Sequence, residues 1–228
     1  YSRRLADTID TAFPAGQPLD AVHVGGGGFT MPRWLAATRP GSASTVLELD
    51  PGVIQLGRRE LAVDDIPGVE VRVGDARTSL QALPDDSADL VIGDAFGSRS
   101  VPWHLATREF VAEVARVLRP GGVYLLNVID YDPLAFLAAE TATAAAVFDE
   151  VGLLVPPGHL GDGEGGNAVL VATDAELDWR GPDRRAAAAG EDVLVLDPIA
   201  AAGFAAAAPV LTDSYAPVDQ LMNPYEAR

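Results

Sequence analysis

Short apolar runs alternate with longer amphipathic segments along most of the chain. Apolar runs bounded by Gly, Pro or acidic residues predict strands, whereas apolar residues spaced three or four positions apart predict helices. The predicted strands of this region lie at 20–25, 44–49, 69–73, 88–93 and 123–129. The predicted helices lie at 1–13, 29–38, from Pro51 onward, near 77–82, at 104–118 and at 134–147. Strands and helices therefore follow one another in a regular alternation.

The last third of the chain departs from this alternation. Two consecutive strands, near 150–155 and 167–173, flank a Gly-rich loop at 158–166 and predict an edge hairpin. A short strand is predicted at 193–196. The whole pattern predicts a doubly wound α/β fold, with a seven-stranded, mostly parallel sheet and one antiparallel edge strand.

The chain of 228 residues is expected to form one domain. It is divided here into a helical lead-in at 1–19, a core at 20–175 and a C-terminal extension at 176–228. No apolar run reaches the roughly 18 residues of a membrane helix, so the chain as given is expected to be soluble and cytoplasmic. It starts at Tyr1 rather than Met, which indicates missing upstream sequence.

The ends of the predicted strands carry glycines and carboxylates. The first strand runs into four glycines at 25–28, the second ends at Glu48 and Asp50, and the next two end in Gly-Asp pairs at Asp75 and Asp94. Glycine lets a ligand approach the backbone, and an acidic residue about 20 positions later accepts ribose hydroxyls. The pattern therefore predicts a nucleoside-cofactor site, with a merely flexible glycine turn as the alternative.

Composition restricts the classes of ligand. The net charge is −17 and every basic residue is Arg, which argues against nucleic acid and fits a cationic substrate. A solubility effect or a compositional bias towards Ala, Arg and Gly is the favoured explanation of the acidity. The chain has no Cys and three scattered His, so disulfides, thiolate chemistry and a metal site are not expected.

Taken together, the motifs resemble those of the polyamine aminopropyltransferase (spermidine synthase) family. The resemblance is greatest to the spermidine-synthase-like proteins of actinobacteria. It is carried by the segments at 23–28, 47–50, 74–76, 93–95, 116–122 and, more loosely, 211–218. Each motif alone is shared with many methyltransferases. The resemblance covers residues 20–175 well and implies a Rossmann-like class I methyltransferase fold.

The resemblance also implies roles for individual residues. Gly25, Gly26 and Gly27 would line decarboxylated S-adenosylmethionine. Glu48 would bind the ribose hydroxyls, and Asp75 with Ala76 would lie at the adenine. Asp94 would accept a proton from the attacking amine, because an alkylammonium is not a nucleophile until it is deprotonated. The alternative for Asp94 is a strand-end residue that caps a turn.

Two positions depart from the family pattern. Gly28 stands where the family has an aspartate for the aminopropyl ammonium, and Gly97 stands where it has one that grips the polyamine. The family's N-terminal β-hairpin domain is also absent from the chain as given. A buried ammonium without a carboxylate partner costs several kcal/mol. We therefore expect divergence from ordinary spermidine synthesis.

Further substrate contacts are predicted after the fourth and fifth strands. Trp103 lies in the loop expected over the active site and either stacks on a substrate or staples the loop to the next helix. Its neighbour His104 is either a helix N-terminal residue or a catalytic group. Tyr131 and Asp132 come after the fifth strand and are expected to face the substrate.

Three functions are consistent with these motifs. The first is transfer of an aminopropyl group from decarboxylated S-adenosylmethionine, or a close analogue, to a small-molecule amine. The second is methyl transfer from S-adenosylmethionine, and the third is nucleoside binding without catalysis. None of these functions requires a metal, a nucleic acid or a membrane. The sequence does not decide whether the chain forms a homodimer.

Overall fold

A single eight-stranded sheet forms the centre of the computed structural model, which describes residues 1–97, 101–160 and 165–222. Its strands are β1 (Asp20–Val24), β2 (Ala43–Glu48), β3 (Val69–Val73), β4 (Ala88–Gly93), β5 (Leu118–Asp130), β6 (Glu150–Val155), β7 (Gly166–Thr173) and β8 (Leu194–Leu196). Their order across the sheet is β3-β2-β1-β4-β5-β7-β6-β8. The doubly wound fold predicted from the sequence is confirmed.

Helices cover both faces of this sheet. They are α1 (Ser2–Ala12), α2 (Thr30–Thr38), α3 (Pro51–Leu61), α4 (Ala76–Gln81), α5 (Arg108–Val117), α6 (Ala135–Ala145), α7 (Gly181–Ala188), α8 (Pro198–Ala205) and α9 (Val218–Met222). Alternate strand residues point to opposite faces. On β4, Leu90 and Ile92 pack with α1 and α2, whereas Val91 packs with α4, α5 and α6. Within the described ranges, no helix combines the length and apolar character needed to cross a bilayer.

The order in which strands join the sheet changes side at β1: β2 and β3 lie on one side of it, and β4 and β5 lie on the other. β1 pairs in parallel with β2 on one side and with β4 on the other. In open α/β sheets, such a switch point leaves a crevice at the carboxyl ends of the strands, where ligands bind. The chain enters this crevice at the ends of β1, β2, β3 and β4.

The far side of the sheet contains one more strand than expected. β7 pairs antiparallel with β5 and β6, so the predicted hairpin of β6 and β7 is present. It is not at the edge, however, because β8 pairs antiparallel with β6. The tail strand predicted at 193–196 thus joins the sheet and covers the outer side of the hairpin.

The predicted helix at 104–118 is shorter than expected. Residues Trp103–Leu105 form a separate 3-10 turn, and α5 begins at Arg108. Thr107 fixes that start, because its side-chain oxygen accepts the backbone N–H of Phe110. The boundary places His104 outside the helix, with its side chain free to reach α4.

The N-terminal helix is attached to the core by a buried arginine. The side chain of Arg39 is fully buried and donates to the carbonyls of Phe13 and Pro14 and to the carboxylate of Asp10. Donors at the last carbonyls of a helix satisfy groups that have no partner within the helix. This attachment fixes α1 and so places Tyr1 beside the crevice.

Candidate active site

The glycine turn after β1 is shaped by one close approach. Gly25 has φ +100, and a Cβ built there would lie 2.6 Å from the carbonyl oxygen of Asp94. Any other residue is excluded sterically as well as by its backbone conformation. Gly27 also has a positive φ, of +48, and its Cβ direction faces open space. The turn therefore brings the ends of β1 and β4 together and leaves room above them.

The glycine turn also orients Glu48. The Gly26 N–H donates to Oε2 of Glu48 at 2.7 Å, and the Asp50 N–H donates to Oε1 at 2.8 Å. The N–H of Gly25 donates to the carbonyl of Leu47. Two of the glycine amides are thus bonded within the protein, rather than pointing at a ligand. Each carboxylate oxygen of Glu48 keeps a lone pair for a further donor.

Asp75 lies at the end of β3 and caps α4. Its Oδ1 accepts the backbone N–H of Thr78 at 3.0 Å, and its Oδ2 lies 2.8 Å from Nε2 of His104. Burial tends to raise the pKa of Asp75, but the hydrogen bonds from Thr78 and His104 outweigh it and hold that pKa below its ordinary value. Asp75 is therefore a firmly ionised carboxylate at physiological pH.

Asp94 lies at the end of β4 in a drier environment. Asn127 donates its side-chain N–H to Oδ1 at 2.7 Å, and the hydroxyl of Tyr1 donates to Oδ2 at 3.1 Å. Burial raises the pKa of Asp94, although these two hydrogen bonds oppose the rise. A carboxylate whose pKa is raised toward the working pH is a better proton acceptor than an ordinary aspartate.

Sequence reasoning missed Asn127 and Tyr1. Asn127 is buried in β5 and accepts a hydrogen bond from the amide of Asn167 on β7 at 2.9 Å. A signal for Asn127 was present, because a polar residue inside an otherwise apolar, doubly covered strand needs a partner. Nothing local marked Tyr1, which is brought to Asp94 by the packing of α1.

The residues at the carboxyl ends of β1 to β4 line one cavity of about 350 Å³. Its walls include Gly25, Gly27, Glu48, Asp75, Ala76, Asp94 and His104. The volume lies within the range of about 300–1,000 Å³ that is usual for small-molecule sites. Most of the predicted cofactor residues are thus brought together at one place.

A small recess of about 30 Å³ adjoins this cavity beyond the glycine turn. Gly26 and Gly28 line it, and Gly25 and Asp94 line both spaces. His23 also lines the recess, but burial lowers its pKa to about 3, so its imidazole is neutral at physiological pH. Of these neighbours, Asp94 is the side chain suited to accept a proton.

A larger groove lies elsewhere on the molecule. It has a volume of about 1100 Å³ and runs along β8, between Glu150, Trp179 and Ile199. Its lining includes neither the glycine turn nor Asp94. We therefore assign the candidate site to the smaller cavity.

The three predicted substrate residues lie outside the cavity wall. Trp103 is half exposed and lines a neighbouring pocket of about 300 Å³, together with Gly97, Pro102 and Asp219. Tyr131 is also half exposed, and its ring packs against Gly165. Asp132 is exposed beside it. Their contact with a substrate stays a prediction. No cluster of three or more metal-ligating side chains occurs in the described part of the chain.

Comparison of the sequence and the fold with known proteins identifies the family of this chain. A family model described as a methyltransferase domain matches residues 22–126. The crystal structure of a probable spermidine synthase from Corynebacterium glutamicum superposes with a TM-score of 0.85 and 30% identity, over 93% of this chain and 80% of that one. The chain belongs to the spermidine synthase family. The resemblance inferred from its strand-end motifs is thereby confirmed.

Two other relatives are more distant. The polyamine aminopropyltransferase of Vibrio vulnificus is 32% identical over 136 residues, which are 59% of this chain and 45% of that protein. The matched region thus spans less than half the length of that curated relative. Human methyltransferase-like protein 13, solved in complex with SAH, shares the fold, with a TM-score of 0.59, 21% identity and coverage of 75% of this chain and 79% of that one.

The family membership gives meaning to the two departures from its pattern. Gly28 lines the recess beside Asp94, and a Cβ there would meet only the hydroxyl of Thr30, at 3.5 Å. Gly97 is exposed and lines both the cavity and the neighbouring Trp103 pocket. Neither Gly28 nor Gly97 supplies a negative charge to the spaces that it lines.

Proposed function

We propose that this chain binds an adenosyl sulfonium cofactor in the cavity and transfers its aminopropyl group to a small amine. Decarboxylated S-adenosylmethionine is the proposed donor. The observation that carries the proposal is the pairing of an oriented Glu48 and an ionised Asp75 with a partly buried Asp94 whose pKa is raised. Glu48 and Asp75 can accept hydrogen bonds from the polar edges of a nucleoside, and Asp94 can accept a proton.

The residues present fit such a ligand. Glu48 is held by two backbone amides and presents its remaining lone pairs to the vicinal hydroxyls of a ribose. Ala76 and Leu47 supply apolar wall beside Asp75, where a purine ring would lie. The sulfonium group supplies an electrophilic carbon and a neutral thioether leaving group.

Asp94 completes the chemistry at the acceptor. An ammonium substrate loses a proton to the Asp94 carboxylate, which becomes a carboxylic acid, and the freed nitrogen lone pair forms the new C–N bond. The C–S bond breaks as that bond forms. Neighbouring neutral donors, from Asn127 and Tyr1, hold the carboxylate without neutralising it. General-base catalysis of this kind contributes about 10²–10⁴ in rate.

The acceptor is proposed to differ from putrescine. Position 28 and position 97 carry no carboxylate, and each charge-assisted hydrogen bond is worth about 1.5–3 kcal/mol. Loss of the bond at position 97 weakens a diamine complex by roughly one to two orders of magnitude, and loss of the bond at position 28 weakens the binding of the donor's aminopropyl end by a similar factor. The acidic surface attracts cations but does not orient them, because exposed charges are screened beyond about 10 Å.

A second candidate function is methyl transfer from S-adenosylmethionine. The space at Gly28 favours it, because a carboxylate there would repel the carboxylate of the parent cofactor, and glycine does not. The two functions differ in the cofactor that the recess prefers. A nucleoside-binding protein without turnover is the third outcome of the same experiments.

Calorimetry with methylthioadenosine, S-adenosylmethionine and its decarboxylated form tests the proposal. Glu48→Ala should weaken the binding of all three by about 30-fold or more, because a ribose pair of charge-assisted bonds is worth roughly 2–4 kcal/mol. Glu60→Ala, at an exposed position on α3, is the matched control and should bind like the wild type. Unchanged affinity in Glu48→Ala would remove the ribose assignment.

A product assay then separates the reactions. Decarboxylated cofactor is supplied with a panel of amines that includes putrescine, and S-adenosylmethionine is supplied with the same panel. Aminopropylated product from an amine other than putrescine supports the proposal. Spermidine formed from putrescine at several turnovers per second contradicts the proposal that the acceptor differs from putrescine. Methylated product alone favours methyl transfer from S-adenosylmethionine.

A further inference from the structure

The two carboxylate oxygens of Asp94 have unequal surroundings. Oδ1 accepts from Asn127, whose side chain is 1% exposed, at 2.7 Å. Oδ2 accepts at 3.1 Å from the hydroxyl of Tyr1, which is 47% exposed. One oxygen thus faces a buried amide and the other faces a hydroxyl at the edge of the recess.

The amide of Asn127 is fixed in one orientation. An ionised carboxylate only accepts hydrogen bonds, so Asn127 must present its NH₂ group to Asp94. The carbonyl oxygen of Asn127 then points to Asn167, which donates to it at 2.9 Å. Asn127 and Asn167 lie on the adjacent strands β5 and β7, where Asn127 is paired with Val169 and Asn167 with Ile129. The sheet therefore holds both amides in place.

This chain of amides restricts where Asp94 takes up a proton. Resting on the proposed role of Asp94 as the base, we propose that Asn127 and Asn167 are positioning residues that reserve Oδ1 as an acceptor and direct the proton of the amine to Oδ2. An NH₂ group cannot accept a hydrogen bond, so an O–H at Oδ1 would face a donor. At Oδ2 the hydroxyl of Tyr1 rotates from donor to acceptor, and the new O–H keeps a partner.

The proton transfer balances on these atoms. The N–H bond of the ammonium breaks, the Oδ2–H bond forms, and the negative charge of Asp94 and the positive charge of the substrate are both lost. Within the described residues, the titratable group bonded to Asp94 is the phenol of Tyr1, and the imidazole of His23 lines the same recess. Asn127 and Asn167 are neutral, so they orient the carboxylate without competing for its proton.

Titration of Asp94 in the ligand-free protein tests the proposal. Carboxyl ¹³C NMR reads the pKa of Asp94, and the resonance is assigned by its absence in Asp94→Asn. Asn127→Leu removes the donor at similar volume and should raise that pKa by about one unit or more, since a hydrogen bond to a charged group is worth that much. Asn167→Leu should raise it by less, because Asn127 stays present but loses its anchor.

Infrared spectroscopy reads the position of the proton. In the acid form, the wild-type Asp94 carbonyl is Oδ1 and is hydrogen-bonded to Asn127, so Asn127→Leu should move its stretch to higher frequency. A structural defect that admitted water would instead add a hydrogen bond to the carbonyl and move the stretch to lower frequency. An Asp94 band and pKa equal to the wild type in folded Asn127→Leu overturn the proposal.

Asn167→Leu keeps the test decisive if Asn127→Leu does not fold. A wild-type titration of Asp94 in Asn167→Leu overturns the role of Asn167. Neither measurement needs turnover, so a negative transfer assay refutes the proposed function and leaves the positioning of Asp94 separately tested. Where turnover is observed, the acidic limb of the pH profile of kcat/KM should move to higher pH in both variants. The affinity for methylthioadenosine should stay within about twofold of the wild type.

Discussion

The tripeptide Gly-Asp-Ala occurs twice at the carboxyl edge of the sheet, at 74–76 after β3 and at 93–95 after β4. The two aspartates have opposite electrostatic properties. Hydrogen bonds outweigh burial at Asp75 and lower its pKa, whereas burial prevails at Asp94 and raises its pKa. The same three residues thus supply a carboxylate with a lowered pKa at one strand and a carboxylate with a raised pKa at the next.

The difference arises from the backbone and side chains that surround each aspartate. Ala76 begins α4, so Asp75 is a helix N-cap and bonds to the Thr78 N–H, while His104 reaches it from the far side. Asp94 caps no helix, and its side chain turns inward to Asn127. Separated pKa values of this kind are how two carboxylates in one site divide binding and acid–base roles.

The largest effect is expected from Asp94→Asn. Asparagine keeps the shape of the side chain but cannot accept the substrate proton, so transfer should slow by about 10²–10⁴. Affinity for methylthioadenosine should change little, because the nucleoside wall is untouched. Initial rates and calorimetry on the same preparation measure both. Retention of most of the wild-type rate would place the base elsewhere, with Tyr131 or Asp132 the next residues to test.

A second substitution adds a carboxylate to the recess at position 28. Gly28 has no positive φ, and its Cβ direction meets only the hydroxyl of Thr30, so Gly28→Asp is sterically acceptable. It should favour decarboxylated S-adenosylmethionine over the parent cofactor by roughly 10–100-fold, the worth of one charge-assisted hydrogen bond. The ratio of the two dissociation constants is the measurement, and Gly203→Asp, at an open and exposed position on α8, controls for net charge. An unchanged ratio would show that the recess does not hold the aminopropyl end.

The sequence predicted the sheet and the strand-end carboxylates because both depend on local patterns. Strand periodicity ends where glycine or a carboxylate begins, and consecutive parallel strands bring such ends to one edge. The opposite pKa shifts of Asp75 and Asp94 were not predictable in this way. It depends on His104 and Asn127, which lie about 30 residues further along and reach the site only through tertiary packing.

Asp75→Asn should affect binding rather than rate. Asparagine remains a good N-cap, so α4 is retained, but the charge that faces the cavity and His104 is lost. Affinity for methylthioadenosine should fall about tenfold, and the rate at saturating cofactor should stay near that of the wild type. Calorimetry and saturation kinetics separate the two effects. A loss of rate with unchanged affinity would reverse the roles assigned to the two aspartates.

The smallest effect is a change in stability of opposite sign at the two positions. The folded-state pKa of Asp94 is raised, so its contribution to stability is present below the ordinary carboxyl pKa and is lost as pH rises toward the folded value. Asp94→Asn should therefore stabilise the chain at pH 7.5, by on the order of 1 kcal/mol or about 2–4 °C in Tm, and should gain nothing at pH 4.

The pKa of Asp75 is lowered, so its stabilisation is present at neutral pH and is lost on acidification. Asp75→Asn should lower Tm at pH 7.5 by a smaller amount, because its carboxylate is 37% exposed and screened by solvent. Scanning calorimetry at the two pH values measures both variants, and shifts of the same sign at pH 7.5 would contradict the contrast between the two Gly-Asp-Ala segments.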